Sequence, residues 1–308
     1  MTTGDDDGRL PRRRFLAVCA AAIAATTSPL AATAARLEGS KSMLDDSVPV
    51  IDAHAHLILP PAAHIQSMDE AGIGKSVLLM SRPHPERATD LHSFKAEMSV
   101  LSRVTAGASA LGIAGAMAEL HATLREWPSR YIGFGGVPMD EPSRIGSWVS
   151  EEIVGRGLKG IGEISPPVGQ AALVEPVFQA AADHGGRYPI LLHAAAPQTA
   201  EDIATYIRLA ARYSRVPIII GQLGGPNWLS TIEAVKEATP NVFVDLGTPQ
   251  TWYGPFLAAR EIPDRAIFAS AAPYGDLLTS RIQVQRATNS REALARIMSG
   301  NLLGILSR

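Results

Sequence analysis

The sequence predicts a single (β/α)8 barrel, a closed sheet of eight parallel strands wrapped by helices, and three observations support this. Short apolar runs alternate with helix-spaced segments from Val50 to the end of the chain, without consecutive hairpins, as parallel strands joined by crossover helices require. The 308 residues, 46% hydrophobic and 19% charged, suffice for one large core. No Gly-x-Gly-x-x-Gly turn follows an early strand, so the alternative, an open doubly wound sheet, lacks its dinucleotide signature.

In chain order, a polar leader over 35–47 gives way to the domain over 48–308. The first strand, Val50 to His54, leads through a helix at Ala62 to Ala71 into a strand at Lys75 to Met80. Two helical stretches, His92 to Arg103 and Ile113 to Arg125, precede the third strand, Tyr131 to Val137; the irregular segments 81–90 and 105–112 flank the first of them. Helix and strand then alternate: Ile145 to Val154 and Leu158 to Ile164, Val174 to His184 and Pro189 to His193, Ala200 to Tyr213 and Pro217 to Gln222. Leu229 to Ala238 precedes the seventh strand, Val242 to Leu246, and Phe256 to Glu261 precedes the eighth, Arg265 to Ser270. Helices at Leu277 to Ala287 and Arg291 to Leu306 close the chain. The strands read as continuous apolar runs because a parallel sheet is covered on both faces.

The first 34 residues have a different composition. Pro11-Arg12-Arg13-Arg14-Phe15-Leu16 precedes an Ala-rich run that ends in Ala32-Thr33-Ala34, and this resembles a twin-arginine export signal with a small-x-small cleavage site. The resemblance implies export in the folded state, to the periplasm or the exterior. The apolar stretch is short and rich in Ala and Thr, so no stable membrane anchor is expected. Cys19, the one cysteine, lies within this segment, which leaves the mature chain without disulfides or thiolate ligands. Without residues 1–34 the chain carries 24 basic and 27 acidic residues, and no basic stripe suggests a nucleic-acid partner. A small-molecule substrate is the expected partner, and oligomeric state stays open.

In a barrel, the C-terminal ends of the strands carry the chemistry. His54 and His56 are spaced i, i+2 and therefore share a face of the first strand; Asp52 has the same parity. Glu163 ends the fourth strand, His193 the fifth, Gln222 the sixth and Asp245 the seventh. Three imidazoles converging on one mouth match a site for one divalent metal ion, with zinc expected, and Glu163 is either a fourth ligand or a base. Arg82, just past the second strand, can clamp a substrate carboxylate, Trp252, Tyr253 and Tyr274 can form an aromatic rim, and Asp245 is expected to face substrate beside them.

Asp52-Ala53-His54-Ala55-His56, Leu192-His193, Gly221-Gln222-Leu223-Gly224-Gly225, Asn241-Val242-Phe243-Val244-Asp245 and the stretch from Asp264 to Gly275 follow one another as the landmarks of the amidohydrolase superfamily do. The resemblance is to the amidohydrolase-related branch that includes decarboxylases of the aminocarboxymuconate-semialdehyde type and lactone hydrolases. Gly162-Glu163-Ile164 also resembles the strand-four glutamate of TatD-type hydrolases.

The chain departs from that pattern twice. In the superfamily a histidine ordinarily stands where this chain has Gln222, and a metal-binding aspartate where it has Ala271. Glutamine can orient or donate a hydrogen bond but cannot shuttle a proton, and alanine removes both an anionic ligand and a base. The resemblance implies a metal-dependent hydrolase of a small amide, lactone or ester, with Glu163 and Gln222 as catalytic residues. It leaves two alternatives, a decarboxylase of the same fold and a barrel that binds a small molecule without turnover.

Overall fold

A computed structural model describes residues 44–105 and 111–308; the expected export signal over 1–34, and most of the leader over 35–47, lie outside the described residues. The eight strands form one parallel sheet in sequential order: β1 (Ile51–His56), β2 (Lys75–Leu79), β3 (Tyr131–Gly135), β4 (Gly160–Ile164), β5 (Ile190–Leu192), β6 (Ile218–Ile220), β7 (Val242–Asp245) and β8 (Ala266–Ile267). The sheet closes through the segment after β8. Ala271 N donates to His54 O at 2.8 Å, His56 N donates to Ala272 O at 2.7 Å, and Ala55 and Ala272 form a parallel bridge. The predicted (β/α)8 barrel is the fold observed.

The helices are α1 (Pro61–Glu70), α2 (Leu91–Thr105), α3 (Leu111–Glu126), α4 (Ile145–Trp148), α5 (Glu175–Asp183), α6 (Ala200–Arg212), α7 (Trp228–Glu237), α8 (Tyr253–Glu261), α9 (Leu277–Ala287), α10 (Arg291–Ala295) and α11 (Asn301–Leu306). Several start where the sequence supplies a cap. Thr199 and Asp202 form a reciprocal capping box on α6, Asp276 accepts from Thr279 N at α9, and Ser290 accepts from Ala293 N at α10. Each cap contributes about 1 kcal/mol by satisfying an amide that the helix itself leaves open. Two stretches expected as plain helix contain π-helical turns, Val149–Val154 after α4 and Arg296–Gly300 between α10 and α11.

Two apolar layers hold the barrel. The smaller fills its interior with Ile51, Val77, Leu79, Phe134, Leu191, Ile219, Phe243 and Ile267, and also takes in Leu302 and Ile305 of α11. β4 contributes glycines to it. A Cβ on Gly160 would stand 2.5 Å from the Phe134 ring, and one on Gly162 would stand 2.8 Å from the Leu191 Cβ, so neighbouring strands' side chains fill the space β4 leaves. The larger layer lies between strands and helices, with Leu78, Ile161, Ile190, Ile220 and Val244 against Met68, Phe178, Ile203, Tyr206 and Ile232. At the opposite end from the mouth, the buried Arg281 of α9 donates to Ala71 O and Gly72 O and pairs with Asp46 at 2.8 Å. This ties the segment before β1 to the turn that follows α1.

Candidate metal centre at the barrel mouth

β1 carries two imidazoles to the mouth, and their Nε2 atoms stand 3.2 Å apart. Glu163, from β4, brings its Oε2 to 3.8 Å from His54 Nε2 and 3.6 Å from His56 Nε2. Among the described residues, His54, His56 and Glu163 are the one group whose ligand atoms lie within 4.8 Å of one another. Ligands held about 2.1 Å from a tetrahedral ion stand about 3.4 Å from each other, which is the spacing these three atoms show.

Each ligand is aimed by a neighbour. His54 Nδ1 donates to Asp245 Oδ2 at 2.9 Å, deep in the barrel where both side chains are fully buried. The His56 ring bonds to the Met80 backbone. In both rings Nε2 is therefore the nitrogen left to face the group. Glu163 Oε1 accepts from His193 Nδ1 at 2.9 Å and from Gln222 Nε2 at 2.8 Å, which turns Oε2 toward the histidines. Asp245 Oδ1 also accepts from the backbone amides of Gln222 and Gly247, both at 2.9 Å. Gly221 makes room for this packing, because a Cβ there would lie 2.9 Å from Leu192 O and 3.5 Å from Glu163 Oε1.

Burial and charge set the protonation of the group. Burial works against a charged His54, but the Glu163 and Asp245 carboxylates outweigh it and push the ring up to about 9. Burial lowers His56 to about 4, helped by the other two imidazoles against Glu163. Burial alone would raise Glu163; His193, His54 and His56 together hold it well below the usual carboxylate range. His193 is raised despite burial, because Glu163 lies against it. The Glu163 carboxylate thus raises both His54 and His193, and it is the negative charge that a divalent cation would meet at this point.

His54, His56, Glu163, His193, Gln222 and Asp245 come together as neighbours, and the Tyr274 ring meets His56 edge-on with centroids 5.4 Å apart. His193 joins the group through Glu163. Asp245, expected to face substrate, is instead fully buried and engaged with His54. Asp52 shares the parity of the histidines, but its carboxylate bonds to His54 N, Ser270 N and Ser270 Oγ rather than to a ring. Arg82 is engaged with Glu119 at 3.1 Å, and the Trp252 ring rests against Phe256. Sequence reasoning missed the roles of Ser270, Met80 and Glu119; Ser270 acts on Asp52, 218 residues away in the chain, and Met80 acts through its backbone, and neither leaves a motif. Gln222 and Ala271 both adopt positive φ, 50° and 55°, so the loops after β6 and β8 keep a demanding backbone at the two unusual positions.

The amidohydrolase family model matches residues 51–301. Among solved structures, 2,6-dihydroxybenzoate decarboxylase from Rhizobium is 13% identical with a TM-score of 0.61, over 84% of this chain and 99% of that one. 5-Carboxyvanillate decarboxylase from Sphingomonas paucimobilis is 15% identical with a TM-score of 0.59, over 84% and 99%. 5-Carboxyvanillate decarboxylase from Novosphingobium aromaticivorans, with bound manganese, is 15% identical with a TM-score of 0.60, over 86% and 98%. At these identities the likeness is one of fold. No curated protein sequence matches the chain.

Proposed function

The chain belongs to the amidohydrolase family, and from that premise we propose that it is a metal-dependent decarboxylase of a small cyclic or aromatic carboxylate. His54, His56 and Glu163 would hold one divalent ion, zinc or manganese. Bound there, the ion would draw off the negative charge that builds on the substrate as CO2 leaves.

One observation carries the choice of reaction. Glu163 directs one oxygen at the histidines and gives the other to His193 and Gln222, Asp245 is committed to His54, and residue 271 is alanine. The mouth thus offers a place for a cation and a proton carrier, but among the described residues these carboxylates are not free to draw a proton from water. Decarboxylation does not need that base. The carbon–carbon bond breaks, its electron pair stays on the substrate carbon, CO2 departs, and the carbon takes a proton. His193, part-exposed and with Nε2 only 3.4 Å from Ala196 O as its further contact, is the residue assigned to deliver it. Gln222 holds the Glu163 carboxylate in place. The relatives of like fold that are named as decarboxylases support the same reading.

Hydrolysis of an amide, lactone or ester is the second reading. It is favoured by the placement of Glu163 Oε2 within 3.8 Å of both ring nitrogens, beside any water held there. The test is to load purified protein with zinc or manganese and follow CO2 release from 2,6-dihydroxybenzoate and 5-carboxyvanillate, beside hydrolysis of phenyl acetate and γ-butyrolactone. CO2 release that is lost in Glu163→Gln is the expected result. Hydrolysis without CO2 release would shift the assignment to the second reading, and a metal-loaded protein inert toward the whole panel would mark a binding barrel.

Export through the twin-arginine route is part of the proposal and rests on Arg12, Arg13, Arg14, Phe15 and Leu16. Replacing Arg12 and Arg13 by Lys is expected to retain the protein in the cytoplasm on cell fractionation, and undiminished export of that variant would count against it. Among the described residues no helix is long and apolar enough to cross a membrane.

A further inference from the structure

Most of the large apolar side chains that stand exposed lie at one end of the barrel. Among the described residues there are nine, and eight of them follow a strand's C-terminal end, in a mouth loop or the first turn of the helix after it; Leu303 on α11 is the exception. Exposed apolar residues scattered singly need no explanation, but a concentration at one end does. Four of the eight, Leu229, Trp252, Tyr253 and Tyr274, come from the segments after β6, β7 and β8 and are 40–62% exposed. Those segments are also uncharged. Residues 221–232, 246–259 and 266–275 contain no Asp, Glu, Lys or Arg, whereas the loops after β2 and β3 carry Arg82, Glu86, Arg87, Asp140, Glu141 and Arg144. The three segments form one wall that begins at the metal centre, where the Tyr274 ring stands edge-on to His56. The loop after β8 packs on the loop after β7, so that a Cβ on Gly247 would lie 3.1 Å from Ala271 Cβ. The segment after β7 packs in turn on the loop after β6, where a Cβ on Gly254 would lie 2.9 Å from Leu223 Cδ2. Trp252 and Tyr253 both rest against Phe256, with ring centroids 6.4 Å apart.

Building on the metal-centre reading above, we propose that this wall takes the apolar body of an amphiphilic substrate, an aromatic carboxylate bearing an alkyl or aryl substituent, while its acid group lies at the metal centre. Continuity decides the occupant. The wall runs without a charged residue up to the group that would hold the cation, so one molecule with an anionic head and an apolar body meets both. A second copy of the chain or a bilayer would use the wall but has no need of its junction with His56. The rings already face solvent, so the ligand lies along them without entering the packed barrel. Trp and Tyr suit this role, because they offer wide apolar area and lose little side-chain freedom when covered.

The experiment is a calorimetric titration of the zinc-loaded protein with benzoate, 4-butylbenzoate and 4-hexylbenzoate, and with the matching benzyl alcohols. A fully buried methylene is worth about fourfold in affinity, so on a wall open along one side 4-butylbenzoate should bind at least about tenfold more tightly than benzoate, and the hexyl compound more tightly still. The double variant Trp252→Ala, Tyr253→Ala, which changes two exposed side chains, should bring that ratio close to one while zinc uptake stays at the parental level. Equal affinities along the series would overturn the proposal, as would a ratio that survives the double substitution. A dimer in sedimentation velocity that the double variant dissociates, or binding to phosphatidylcholine vesicles that it abolishes, would overturn it too, because the wall would then belong to a second copy or to a bilayer. The alcohols separate the wall from the metal centre: a chain-length gain shared equally by acids and alcohols supports the wall and counts against a metal-held acid group.

Discussion

Asp245 accepts the Nδ1 hydrogen of His54 at 2.9 Å, with both side chains fully buried. That bond decides which nitrogen of His54 faces the mouth, and it is the most sensitive point of the metal centre. Asp245→Asn would keep an oxygen for the amides of Gln222 and Gly247, but would present an NH2 to His54 Nδ1. The ring would then move its hydrogen to Nε2, the ligand position. Metal affinity is expected to fall by about 10–100-fold with little change in fold, as for other residues that orient a ligand; competition with a chromogenic chelator measures it. Unchanged affinity would mean that His54 does not bind through Nε2.

Glu163→Gln removes the anionic ligand while preserving size. The variant should keep its hydrogen bonds to His193 or Gln222 and remain folded, yet lose metal affinity by more than about tenfold, since neutral amide oxygens are weaker ligands than carboxylates for such ions. Equilibrium dialysis against zinc, with circular dichroism as the folding control, separates the two effects.

Ser270 joins the end of the barrel to its beginning. Its Oγ and N donate to the fully buried Asp52 at 2.5 and 2.9 Å, and burial, offset in part by these bonds, leaves Asp52 pushed up to about 6. Ser270→Ala leaves that carboxylate without one of its donors and should cost about 2 kcal/mol of stability in urea unfolding. A loss no larger than that of an exposed Ser→Ala control would show that this link does not hold the barrel closed.

Away from the metal centre, His64 supplies a pH dependence of known sign. It is 1% exposed, its Nδ1 lies 3.1 Å from Tyr131 Oη, and burial, with Arg130 adding to it, holds the ring at about 4 against 6.5 when unfolded. Between these values the unfolded chain binds the extra proton, so stability rises with pH. The contribution of His64 is complete above pH 6.5 and is lost as pH falls to about 4, a span worth roughly 3 kcal/mol. Urea midpoints measured from pH 7 to pH 4 should fall less steeply in His64→Leu than in the parent; equal slopes would contradict the buried neutral ring.

The strands were legible because a parallel sheet is buried on both faces and writes itself as apolar runs. Their ends were less so. β8 was expected over 265–270 but spans Ala266–Ile267, since Phe268 N bonds to Ile297 O and Ser270 turns to Asp52. The π-helical turns at Val149–Val154 and Arg296–Gly300 lie in stretches whose spacing reads as ordinary helix; only tertiary packing selects the wider turn. In the site, His54, His56 and Glu163 stood out as strand-end residues of metal-binding type. The role of Asp245 did not, because parity on β7 does not reveal whether a carboxylate faces substrate or a ring on β1. Glu119 was invisible in the same way: it reaches Arg82 from α3, 37 residues on, with no local pattern to mark it.

The central claim is that His54, His56 and Glu163 hold a metal ion, and elemental analysis of the purified protein by mass spectrometry, before and after chelation and reloading, tests it most directly. The account predicts about one divalent ion per chain, removed by chelator and restored by added zinc or manganese. Metal-free protein that takes up neither ion would contradict it.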